Sequence, residues 1–121
     1  MKIIALLAAA IHFYFFILES ILWTRPSTLK AFRMKPADAE TTRVLAFNQG
    51  FYNLFLVGAV LVGLVLGAEG KILVDYAMAS MLLASLVLFF SKKGMLRGAL
   101  IQGLLPAIYF VYQYAQMMSA S

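Results

Sequence analysis

The chain has 121 residues, 64% of them hydrophobic and only 12% charged, and it carries a net charge of +5. Soluble domains run at about 45–50% apolar and about 25% charged residues, so this composition argues against a soluble enzyme and against a nucleic-acid-binding domain. Cysteine is absent, which removes disulfides and thiol chemistry, and the length allows one domain.

Four apolar runs are predicted to cross a bilayer as helices: residues 3–23, 44–67, 72–91 and 98–118. Each is near the ~20 residues that an α-helix needs to span the hydrocarbon core. A long loop, 24–43, and two short ones, 68–71 and 92–97, connect them. Short connections make neighbouring helices antiparallel. The expected fold is therefore all-α: one integral membrane domain built as an up-down-up-down four-helix transmembrane bundle. No segment alternates apolar and polar residues as a membrane barrel requires. Lys2 followed by an apolar stretch with Ala8, Ala9 and Ala10 also reads as a signal peptide. Cleavage there would leave a hydrophobic region of only about seven residues, whereas the run continues to Trp23, so a retained helix is expected.

Orientation is set by the loops. Arg25, Lys30, Arg33, Lys35, Arg43, Lys92, Lys93 and Arg97 are eight of the ten basic residues, and only Lys2 and Lys71 lie on the other side. The positive-inside rule then makes loops 24–43 and 92–97 cytoplasmic and puts both termini outside. The nearer partner for these cations is anionic lipid, and no nucleic-acid recognition motif accompanies them. The expected location is the bacterial inner membrane.

Within the long loop, Pro26 stops the first helix, and Pro36 followed by Asp38 and Glu40 reads as a first helical turn. The second helix is thus expected to begin near Pro36. Residues 27–34 read either as a short interfacial helix with Leu29 and Phe32 toward lipid or as an irregular solvated loop.

Polar groups inside a span cost about 2.5–3.5 kcal/mol when charged and central, so each needs a reason. The first helix holds His12 and Glu19, the second Asn48, Gln49 and Asn53, and the fourth Gln102, Gln113 and Gln116. The third offers Asp75 near its outer end and scattered serines. At 100° per residue, His12 and Glu19 fall within about 20° of one another, and Trp23 shares their stripe. Gln49 and Asn53 are an i,i+4 pair. Gln102, Pro106, Tyr109 and Gln113 form a third stripe. At 1.5 Å per residue, Glu19 lies roughly 9 Å from the Arg25 level, with Gln49 and Gln102 at similar depth, Asn53 a turn deeper, and His12 near Tyr109 at about 20 Å. The expected site joins Glu19 and His12 as acid–base groups with Trp23, Asn48, Gln49, Asn53, Gln102 and Tyr109 as ligand-binding residues. Low dielectric favours a neutral carboxylic acid, which can donate to an amide. Together with an imidazole it suits acid–base chemistry on a lipophilic molecule, with Trp23 and Phe16 offering π faces to positive charge.

Each polar residue also has a structural reading. Interhelical hydrogen bonds hold membrane bundles together at roughly 0.6–2 kcal/mol each, which suits Gln102, Gln113 and Asn48. Gly63 and Gly67 fit the small-xxx-small pattern of close helix contact, within the bundle or in a homodimer. One histidine cannot supply bis-histidine haem ligation, and one His with one Glu is too few for a metal site. No cofactor or metal is expected, and no phosphate loop, dinucleotide fingerprint, HExxH or nucleophile elbow occurs.

His12, Glu19 and Trp23 in the first helix, with Asn48-Gln49-Gly50-Phe51-Tyr52-Asn53 in the second and the Gln102/Pro106 pair, resemble domain-of-unknown-function family 1304. These are small bacterial integral membrane proteins, and the likeness runs over essentially the whole chain. It implies four helices and membrane residence, but no reaction or ligand.

Three functions remain open. The first is an intramembrane enzyme or binding protein for a lipophilic small molecule, such as a quinone, isoprenoid or sterol-like compound. The second is a small proton-coupled transporter. Length, four spans and one carboxylate in the first helix are similar to the small multidrug resistance family, but the eight-to-two loop charges and the long first loop depart from it. The third is an accessory subunit of a membrane complex.

Overall fold

Prolines and glycines mark most of the element boundaries. The computed structural model describes residues 1–120. Helix α1 (Lys2–Phe16) runs into a π-helical turn, Ile17–Ile21. Two short helices come next, α2 (Pro26–Phe32) and α3 (Pro36–Thr41), each with proline in its first turn behind an extended residue, Arg25 or Lys35. Of the two readings of the long loop, residues 26–32 take the helical one. Helix α4 (Arg43–Val65) begins directly after α3, with a break at Thr42. Gly67, at φ +64°, ends α4, and a 3-10 turn, Gly67–Gly70, leads into α5 (Lys71–Ser91). Gly94, at φ +81°, lies in the turn before α6 (Leu96–Ala120). Among the described residues there is no strand.

Three segments are long and apolar enough to cross a membrane: Lys2–Ile21, Arg43–Val65 and Gly67–Ser91. Helix α6 has the length, at 25 residues, but Gln102, Pro106, Gln113, Gln116 and three tyrosines dilute its apolar character. The four long helices nonetheless pack as a ring. α1 lies against α4 and α6, and α5 lies against the same two.

The core inside this ring is built from small and flexible side chains. Ala5, Ala8 and Ala9 of α1 face Val57 and Val60 of α4, Val74, Ala77, Met78 and Met81 of α5, and Tyr109 of α6. Alanine lets helix backbones approach closely, and methionine fills the irregular gaps left over. At the α4–α5 hairpin a Cβ on Gly63 would crowd Gly70 and Val74, and one on Gly70 would overlap the Gly63 backbone. Gly63 is therefore buried against its own hairpin, while Gly67 turns the chain. Large side chains such as Leu45, Phe55, Val65, Phe90 and Val111 point outward.

Candidate functional site

The winding of α1 changes just before Glu19. From Ile17 to Ile21 the backbone takes the wider π turn, closed by Leu22 N–H donating to the Ile17 carbonyl at 2.9 Å. Turns of this kind are rare and concentrate at functional positions. No proline or glycine lies in the turn. It does coincide with a tight crossing against α4, because a Cβ on Gly50 would overlap Ser20 Oγ. Ser20 passes over the bare glycine and donates to the Phe47 carbonyl at 2.8 Å.

The same crossing brings Glu19 onto α4. Asn53 Nδ2 donates to Glu19 Oε1 at 2.6 Å, with Asn53 buried and Glu19 half-buried. Glu19 Oε2 accepts no hydrogen bond among the described residues, and no cation there pairs with the carboxyl. Aromatic rings meet at the same crossing of α1 and α4: Phe16 meets Phe51 edge-on at 5.2 Å, and Phe51 meets Phe47 at 5.0 Å. The pair therefore leaves one carboxyl oxygen free at a helix crossing that also carries an aromatic cluster.

The other residues expected at the site are more dispersed. His12 is fully buried; its Nδ1 donates to the Ala8 carbonyl at 2.9 Å and its Nε2 has no partner. No hydrogen bond joins it to Glu19 among the described residues. The π turn interrupts the α-helical phase on which their common stripe depends, since one extra residue in a turn rotates the rest of the helix by about 100°. Trp23 Nε1 donates to Thr42 Oγ1 at 3.2 Å and its ring lies 5.1 Å from Phe32, so it ties the end of α1 to the α2–α4 segment. Asn48 is exposed and donates to the Val44 carbonyl of its own helix at 2.8 Å; Gln49 is exposed too. Gln102 is half-buried and makes no side-chain hydrogen bond among the described residues.

Tyr109 belongs to a second polar cluster, at the opposite end of the ring. Its hydroxyl donates to Asp75 Oδ1 at 2.6 Å, and Gln113 Nε2 donates to the same oxygen at 3.1 Å. Lys71 Nζ pairs with Asp75 Oδ2 at 2.5 Å and reaches Gln113 Oε1 at 3.4 Å. Sequence reasoning set Asp75 aside as a helix-end residue. The available signal was the match between Lys71 and Asp75, spaced i,i+4, and the Tyr109/Gln113 stripe at the far end of α6.

A family model described as "Protein of unknown function (DUF1304)" matches residues 6–113. The chain belongs to that family. The matched region takes in Glu19 and Asn53 as well as Asp75, Tyr109 and Gln113, so both carboxylate clusters lie inside it. No curated protein and no solved structure matches the chain.

Proposed function

We propose that this DUF1304 chain is a multi-pass membrane protein of the bacterial inner membrane, in which α6 is the fourth span of a four-helix bundle. The bundle binds a lipophilic small molecule at the Glu19–Asn53 pair. The reading of α6 is supported by its place in the ring, between α1 and α5. Loops 24–43 and 92–97 face the cytoplasm on this reading, because they hold most of the cations.

The observation that carries the binding role is the incomplete satisfaction of Glu19. A carboxyl in an apolar helix that served only as structural glue would have its acceptors filled, since unpaired polar groups in lipid are costly. Glu19 has one amide donor and a free Oε2. A ligand with a hydroxyl or carbonyl group completes this arrangement: the carboxyl receives a proton from it or gives one to it at Oε2, while Asn53 holds Oε1. The apolar remainder of the ligand lies against Phe16, Phe47 and Phe51. His12, with its unpartnered Nε2, is the second proton-carrying group of the bundle on this reading.

Purification in a mild detergent followed by mass spectrometry of the organic extract tests the proposal. A lipophilic compound beyond bulk phospholipid is expected with the parent chain and is expected to be lost with Glu19→Gln at unchanged protein yield. Identical extracts from the two proteins would sink the proposal.

A second reading, proton-coupled transport, is favoured by the order of titratable groups along the bundle: Glu19 near one end, buried His12 between, and Asp75 near the other. It predicts substrate efflux from proteoliposomes that depends on a proton gradient and stops with Glu19→Gln.

A further inference from the structure

Four helix ends meet where the chain is farthest from its basic loops: the starts of α1 and α5 and the ends of α4 and α6. Between them lies an open cleft of about 580 Å³. Its size falls within the roughly 300–1,000 Å³ typical of small-molecule sites. Most of its lining is apolar, with Ala5, Leu64, Val74 and Met117 among the residues that form it.

The polar groups of the cleft divide into two sets. One set is occupied: Lys71, Tyr109 and Gln113 all bond Asp75, so the charge of Asp75 is already offset by an ammonium and by two donors. The other set is free. Lys2, Tyr112 and Gln116 are exposed residues that line the same cleft, and their side chains have no hydrogen-bond or ionic partner among the described residues. All three carry donors, and Lys2 adds positive charge beyond the Lys71–Asp75 pair to a cleft that Met1 also lines. Glu69 is in the neighbouring turn but outside the lining.

We infer that this cleft binds a single-chain amphiphile with an anionic carboxylate head, the head meeting Lys2, Tyr112 and Gln116 and the chain lying on Ala5, Leu64, Val74 and Met117. Charge complementarity selects the head, because the unused groups are donors and one is a cation, and charge-assisted bonds of this kind are the stronger ones. The apolar lining selects the tail. The Lys71–Asp75–Tyr109–Gln113 cluster acts as a rigid wall, holding α5 and α6 together beside the head. The site lies at the opposite end from Glu19 and does not depend on the role proposed for that residue.

The test uses the full chain in lipid nanodiscs with radiolabelled oleate as the probe and oleyl alcohol as its uncharged counterpart. Saturable binding of one oleate per chain, above that of empty nanodiscs, is expected. Lys2→Gln should weaken it roughly tenfold, the scale of one charge-assisted bond. Lys92→Gln, which removes the same charge at the other end, should leave it unchanged. Ala68→Trp, at an exposed lining position, should fill the cleft and abolish binding; thermal melts confirm that each variant is folded. Oleyl alcohol binding as tightly as oleate, equal effects of the two lysine variants, or full binding to folded Ala68→Trp would each overturn the inference. So would the absence of saturable binding.

Discussion

Glu19 and Asp75 are both carboxylates on long apolar helices, yet their surroundings differ in kind. Asp75 receives a phenol, an amide and an ammonium, which together fill both of its oxygens. Glu19 receives one amide, on one oxygen, with no cation paired to it among the described residues. The first arrangement cross-links α5 and α6 and is complete in itself. The second leaves hydrogen-bonding capacity unused next to a π turn and a ring of aromatics. The two carboxylates thus differ in how much of their hydrogen-bonding capacity the protein itself fills.

That contrast can be attacked by substitution, and the largest effect is expected where geometry is tightest. Gly50→Val puts a branched side chain into the space of Ser20 Oγ, and overpacking of this sort costs about 2–3 kcal/mol. Thermal unfolding in detergent should show the loss, and adding Ser20→Gly, which clears Oγ and Cβ but leaves the backbone nitrogen in contact, should recover part of it. If Gly50→Val melts like the parent, the crossing that positions Glu19 is not as described.

Asp75→Ala comes next. It strands the buried Tyr109 hydroxyl and frees Lys71, and an unsatisfied buried hydroxyl costs about 1–3 kcal/mol. A drop in melting temperature checks it, and Asp75→Asn, which can still accept from Tyr109, should lose less. Trp23→Phe removes the bond to Thr42 but keeps an aromatic ring near Phe32, so a loss of about 0.5–1.5 kcal/mol is expected in the same assay.

The smallest stability effect is expected from Glu19→Gln. Its amide oxygen can still accept from Asn53, so the change should stay within about 0.5 kcal/mol, near the mean for interhelical bonds in membranes. Near-neutral stability combined with loss of the co-purifying ligand would set Glu19 apart from Asp75 most sharply. A large destabilisation would instead make the two carboxylates alike.

Much of the fold was legible because lipid imposes it. Runs of about twenty apolar residues point to four long helices, and Pro36 points to a helical start. Pro26, in contrast, reads only as a stop to the first helix, and residues 27–34 read equally as a short helix or a loop. The α6 segment was legible as a helix, though its glutamines and tyrosines set it below the apolar level of the other three. The pairing of Glu19 with the asparagine-rich start of α4 came from depth counting, and the partner in the structure is Asn53. What could not be read was the π turn, since Ile17-Leu18-Glu19 contains no residue that announces it. The turn coincides with a tertiary contact between Ser20 and Gly50, 30 positions away, which no local pattern shows. The partners of Tyr109 were missed for a related reason. A stripe tells which face of a helix is polar, but not which of two neighbours that face meets, and Tyr109 meets α5.

Arg33 closes α2 in the left-handed conformation, at φ 54°, where the Met34 N–H reaches back to the Leu29 carbonyl. Glycine is the usual occupant of that helix-ending position, because a side chain there is disfavoured by about 1–2 kcal/mol. Holding an arginine at this point keeps a cation in the loop that carries five of the ten basic residues. On the orientation proposed above, Arg33 is one of the cations that would hold this loop on the cytoplasmic side, at a local backbone cost. A glycine at this turn would relax the backbone and remove one of those cations.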